Sequence, residues 1–137
     1  MLAWAMTQET KTHVPKILIV DDEALVCWSI EKTLRKAGYE TISADSGEKA
    51  IEKLRSSSFD LIITDMKLPN ADGFDVAATA KRLLPLTPVI MISAFGDEAA
   101  HEKASTMKID CFVDKPFDLS EIASIVRWIL VKNEMKN

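Results

Sequence analysis

The stretch Phe59-Asp60-Leu61-Ile62-Ile63-Thr64-Asp65-Met66-Lys67-Leu68-Pro69 decides the fold. Leu61 to Thr64 is apolar or β-branched at every position, without the alternation of a strand wetted on one face. Such a run reads as a central parallel strand covered by helices on both sides. It stops on Asp65, and Pro69, Asn70, Asp72 and Gly73 then supply turn formers. The chain therefore brings a carboxylate to the C-terminal edge of a buried sheet, the edge where open α/β sheets bind ligands.

Working outward, short β-branched runs alternate with longer amphipathic ones, the mark of βαβ units. Strand one is Ile17 to Val20, and a helix from about Glu23 to Ala37 places Val26, Ile30, Thr33, Leu34 and Ala37 on one stripe. Gly38 suits the left-handed position after a helix. Strand two, Tyr39 to Ala44, leads to a Ser46 N-cap and a short helix from Glu48 to Arg55 that buries Ala50, Ile51 and Leu54. After the Asp65 loop come a helix over Phe74–Leu84, strand four over Val89–Ile92 and an apolar-poor helix over Asp97–Met107. Strand five over Ile109–Val113 and a helix over Leu119–Lys132, capped by Asp118, complete the pattern. The expected class is α/β, a doubly wound (βα)5 unit whose five-stranded parallel sheet carries helices on both faces.

The 137 residues suffice for one domain with an ordinary core. We expect an arm over 1–14, the domain over 15–132 and a polar tail over 133–137. Hydrophobic residues at 47% exclude a disordered chain, and a net charge of -4 leaves no electrostatic footprint for nucleic acid. Cys27 and Cys111 form no paired motif and read as reduced residues in or near the core. The start, Met1 to Met6, is apolar but too short to span a bilayer and has no basic flank, and Met6 is an alternative start. A cytoplasmic protein with no membrane partner is the expectation. Trp4 has no clear role.

Two other strings join Asp65 at the same edge: Lys16-Ile17-Leu18-Ile19-Val20-Asp21-Asp22-Glu23 and Cys111-Phe112-Val113-Asp114-Lys115-Pro116-Phe117. Alone, Asp21-Asp22 would read as a helix cap and dipole partner. With Asp65 and Lys115 beside it, the pair reads as a site. Hard oxygen ligands of this kind select Mg2+ or Mn2+. Carboxylates also form acyl phosphates as nucleophiles, and at neutral pH they need no base. His13 lies in the arm and His101 in an exposed helix, so neither is a candidate base. Lys115 offers a point charge, and Ser93 a hydroxyl, for phosphoryl oxygens.

These motifs, with Asp72-Gly73, Ser93-Ala94 and Lys115-Pro116-Phe117, resemble the receiver domain of bacterial two-component response regulators, the chemotaxis-regulator, flavodoxin-like fold. The resemblance covers about Pro15 to Lys132. It implies phosphotransfer from a sensor histidine kinase, or a histidine phosphotransfer domain, onto Asp65. It also implies Mg2+ held by Asp22, Asp65 and the Lys67 carbonyl, with Asp21 acting through water. Ser93 and Phe112 would form the switch that reshapes the face of helix four, strand five and helix five, a face that can also serve a homodimer. Phe112 stands where tyrosine is frequent, and the Lys115-Pro116 bond resembles one that is cis in the family.

Several residues carry two readings. Leu25 and Trp28 fall off the core stripe, as scattered surface residues or as a kinase-docking patch. Trp128 reads as core or as part of an oligomer face. Lys67 and Phe95, two residues beyond Asp65 and Ser93, would overhang the phosphoryl group and slow its hydrolysis, or else point into solvent. Rival classes are a haloacid-dehalogenase-like phosphatase and a docking module that works without phosphorylation. The first is disfavoured by Lys67 standing where its general acid belongs. The second is disfavoured by the intact site. A P-loop nucleoside triphosphatase is excluded, since its glycine-rich motif is absent.

Overall fold

The computed structural model describes residues 13–94 and 98–136. Five strands alternate with five helices: β1 (Lys16–Val20), α1 (Ala24–Lys36), β2 (Glu40–Ala44), α2 (Gly47–Ser56), β3 (Leu61–Asp65), α3 (Gly73–Leu83), β4 (Val89–Ala94), α4 (Glu98–Thr106), β5 (Cys111–Lys115) and α5 (Leu119–Lys136). All strand pairs are parallel, in the order β2-β1-β3-β4-β5. The order reverses between β1 and β3, which opens a crevice at their C-terminal ends.

Two apolar layers sandwich the sheet. Leu18, Val20, Ile62 and Met91 face α2, α3 and α4 through Leu54, Val76 and Ala100. Ile17, Ile19, Ile63 and Ile90 face α1 and α5 through Ile30, Leu34, Ile122 and Val126. Every residue of β3 is buried, as the unbroken apolar run requires.

Helix boundaries follow local chemistry. The Ser46 side chain accepts the Lys49 N–H at 3.1 Å. Asp72 and Asp75 cap α3 reciprocally. Gly38 has φ +99° and follows α1, while the Tyr39 N–H returns to the Leu34 carbonyl at 3.1 Å.

Some details differ from the expectation. β4 and β5 each run two residues beyond the predicted ends, because ladder pairing continues through Ser93 with Asp114 and Ala94 with Lys115 after the apolar runs stop. α5 continues past Lys132 to Lys136, so the stretch expected as a polar tail is largely helical. In α1 the stripe is rotated: Cys27 is buried, Val26 is half-buried and Ala37 is exposed. Trp128 is 59% exposed, which rules out a core role. Cys27 and Cys111 are both free thiols. No helix of the described residues is long and apolar enough to cross a membrane.

Candidate functional site

Three carboxylates meet at the crevice. Asp21 and Asp22 follow β1, Asp65 ends β3, and one oxygen from each lies within 4.8 Å of the others. β1 and β3 are adjacent and in register, which brings the acids together. Asp21 and Asp65 are buried, whereas Asp22 is exposed.

Asp21 is the most revealing of the three. One oxygen accepts the Glu23 N–H at 2.8 Å, but the other is buried without a partner among the described residues. Burial pushes the Asp21 carboxyl up from 3.8 to about 6. The Glu23 N–H and the Lys115 charge oppose this shift, and the Asp65 and Glu23 charges add to it. A buried, charged, unsatisfied oxygen is costly unless a cation sits against it. The donor set is all oxygen and anionic, so the residues present fit a hard divalent cation.

Lys115 ends β5 and spans the crevice, its Nζ 3.2 Å from Asp65 and 3.4 Å from Glu23. Burial alone would lower its pKa. The hydrogen bond to Asp65 and the charges of Asp65, Asp21 and Glu23 outweigh burial and raise it above the ordinary lysine value. Glu23 went unnoticed in the sequence beyond marking a helix start, although it directly follows the acidic pair.

Ser93 is fully buried, and its hydroxyl donates to the Ala94 carbonyl at 2.9 Å. It therefore points along its own strand here, with no bond to Asp65. Lys67 is exposed on the loop after β3, beside Leu68 and Asn70. Phe95 lies outside the described residues, as do Trp4 and Met6. Leu25 and Trp28 are 73% and 56% exposed on α1, with the Lys32 ammonium 4.9 Å from the Trp28 ring.

Phe112 is half-buried under α4, where the His101 ring meets it at 4.1 Å between centroids. The same histidine reaches Asp114 at 3.0 Å. His101 thus ties α4 to β5, a contact that no local sequence pattern announces. The Lys115-Pro116 bond is cis.

Glycines bring the loops close. A Cβ on Gly73 would collide with the Asp65 carbonyl and lie 2.8 Å from Met66 Cα, and one on Gly47 would collide with the Ala71 carbonyl. The N-termini of α3 and α2 are therefore pressed against the strand end and loop that carry the site.

Comparison with known proteins agrees with this geometry. The family model of the response regulator receiver domain matches residues 17–127. The chain belongs to that family. It is 32% identical over 120 residues to the alkaline phosphatase synthesis transcriptional regulatory protein PhoP of Bacillus subtilis, covering 88% of this chain and 50% of that protein. A similar match joins it to the transcriptional regulatory protein PdtaR of Mycobacterium tuberculosis, at 32% identity and covering 85% and 57%. The chain spans about half the length of the curated relatives it matches. Among solved structures, a response regulator receiver domain protein from Methanospirillum hungatei superposes with a TM-score of 0.87 at 24% identity, covering 91% of this chain and all of that one. At that identity the likeness concerns the fold. A putative response regulator from Chloroflexus aurantiacus matches at 32% identity and TM-score 0.80, covering 87% and 99%.

Proposed function

We propose that this chain is a phosphoacceptor of a two-component relay, taking a phosphoryl group onto Asp65 from a phosphohistidine of a sensor kinase or phosphotransfer domain. The observation that carries the reading is the convergence of Asp65, Lys115 and the unpartnered oxygen of Asp21 in one crevice. An Asp65 oxygen attacks phosphorus, the P–N bond to the donor imidazole breaks, and an acyl phosphate results. Asp22, Asp65 and the Lys67 carbonyl would hold Mg2+ (or Mn2+), with Asp21 acting through water. The cation supplies charge neutralisation for the phosphoryl oxygens. Lys115 fixes one phosphoryl oxygen with its ammonium, and the Ser93 hydroxyl turns from Ala94 to donate to another. Lys67, exposed beside the crevice, would pair with the phosphoryl group and lengthen its life.

Incubation with acetyl phosphate and Mg2+ should add one phosphoryl group by intact mass, mapped to Asp65 and lost in Asp65→Asn. Modification elsewhere, or equal uptake by Asp65→Asn, would refute the assignment. The exposed Leu25 and Trp28 are proposed to seat the kinase. Trp28→Ala should then slow transfer from a kinase while leaving acetyl phosphate uptake unchanged.

Switching follows from the same site. Ser93 pairs with Asp114 in the ladder, and Asp114 holds His101 against Phe112. A Ser93 hydroxyl drawn to a phosphoryl oxygen would give the two states the different contacts that a population shift requires. Beryllofluoride should move amide resonances most on the face of α4, β5 and α5, the face open to a homodimer or downstream target. Shifts centred on α2 would contradict the switch.

A further inference from the structure

The loop between β3 and α3 is closed at its base, where the Gly73 N–H donates to the Met66 carbonyl at 2.8 Å. Within it Asn70 adopts φ +64°, the left-handed region that asparagine tolerates better than most side chains. The turn alone would explain an asparagine there. It does not explain where the side chain goes: the Asn70 amide donates to Glu48 Oε1 at 3.1 Å, across 22 positions of sequence. Glu48 stands in the first turn of α2, where the helix dipole favours an acid in any case. Each residue has an ordinary local reason, and their meeting has none.

The neighbours of both residues meet as well. Gly47 lies so close to the Ala71 carbonyl that no Cβ would fit. α2 is in turn fixed to the other side of the crevice. The Ala44 carbonyl, at the end of β2, accepts the Asp21 N–H at 3.2 Å, and Ser46 two residues later caps α2. A chain of contacts therefore runs from Asp21 through the turn before α2 to Glu48, Asn70 and the loop that carries Lys67.

We propose that Asn70 is a positioning residue for the divalent cation: its bond to Glu48 fixes the loop over 66–72, so that the Lys67 carbonyl is in place before the cation binds. The inference rests on the cation site proposed above and adds to it a residue outside the ligand set. Asp65 ends a buried strand and Asp21 and Asp22 follow another, whereas no strand or helix holds Lys67. Of these donors, the carbonyl is the one whose place depends on its loop. Freed from Glu48, the loop samples other arrangements, and the apparent affinity falls with the fraction that stays competent. An exposed hydrogen bond to a carboxylate is worth about three- to tenfold here.

Glutamine and alanine at position 48 carry equal charge, and only glutamine keeps an acceptor for Asn70. In Mg2+ titrations of the full chain, followed by its amide resonances, Glu48→Gln should bind about three- to tenfold more tightly than Glu48→Ala. Asn70→Gly keeps access to the left-handed backbone but loses the amide, and should weaken binding at least as much. Combined with Asn70→Gly, the two position-48 variants should bind alike, since the contact is then absent from both. Both positions are exposed, so thermal melts without Mg2+ should change little. Equal Mg2+ affinity of Glu48→Gln and Glu48→Ala in the otherwise native chain would overturn the role and leave the cation site standing. So would a difference that persists with Asn70→Gly, because Glu48 would then act without Asn70. A native chain with no affinity for Mg2+ would overturn the cation site itself, and this role with it.

Discussion

Replacing Asp21 with asparagine is expected to stabilise the metal-free protein and to weaken its stabilisation by Mg2+. The Asp21 carboxyl sits at about 6 in the folded chain against 3.8 for the unperturbed group, because it is buried with one oxygen unpartnered. Below about pH 4 it is protonated in both the folded and unfolded states and has no effect on stability. Between about 4 and 6 the folded state holds more protons than the unfolded one, so stability falls as pH rises. Above 6 the full cost remains, on the order of 3 kcal/mol. Asparagine keeps an oxygen for the Glu23 N–H and carries no charge to desolvate, so it should recover about 1–3 kcal/mol at pH 7.5 without metal.

The same penalty is what a divalent cation bound beside Asp21 would relieve. Mg2+ at a hundredfold excess over its dissociation constant should stabilise the native chain by about 2.7 kcal/mol. For Asp21→Asn that increment should shrink markedly at the same Mg2+ concentration, because the site loses one of its three negative charges. Denaturant unfolding at several pH values, with and without Mg2+, will measure both effects. A less stable metal-free variant that still responds fully to Mg2+ would show that Asp21 braces the fold and has no part in a cation site.

Much of this architecture was legible because β3 is so plain. An apolar run closed by an acid admits few topologies, and the alternation around it gave the five strands and five helices in order. Asp21, Asp22, Asp65 and Lys115 were legible for the same reason: each follows or ends a strand, and parallel strands deliver their ends to one edge. The misses share a different cause. β4 and β5 run on to Ala94 and Lys115, since the ladder continues where the apolar pattern has stopped. Val26 lies at the edge of the core and is only half-buried, because a helical wheel cannot fix its own rotation to within one residue. His101 reached Phe112 and Asp114 only once α4 had packed on β5. Glu23 touches Lys115 across 92 positions of sequence, a contact made by the topology and by no local pattern.

Gly73 is the clearest example of a residue whose sequence context suggests one reason and whose surroundings give another. Asp72-Gly73 looks like a turn, where glycine supplies a left-handed backbone. Gly38 does serve that purpose, at φ +99° with nothing within 4 Å of where a Cβ would sit. Gly73 instead opens α3, and its N–H donates to the Met66 carbonyl at 2.8 Å. A Cβ there would meet the Asp65 carbonyl, and Met66 Cα at 2.8 Å. These are backbone atoms, so no side-chain rotation relieves the clash. α3 would have to withdraw from β3, against a reciprocal cap at its N-terminus and a buried face made by Phe74, Val76, Ala77 and Ala80. Gly73→Ala should therefore cost about 3 kcal/mol or more, and lower the melting temperature by roughly 10 °C. Gly38→Ala should cost only about 1 kcal/mol, through its backbone conformation alone. Because the displaced atoms belong to Asp65 and its neighbour, Gly73→Ala should also weaken Mg2+ binding in the folded fraction, which Gly38→Ala leaves intact. Thermal melts and Mg2+ titrations of the two variants will separate the cases. Equal costs, with Mg2+ binding unchanged in both, would show that the strand end yields easily and that Gly73 does not set the position of Asp65.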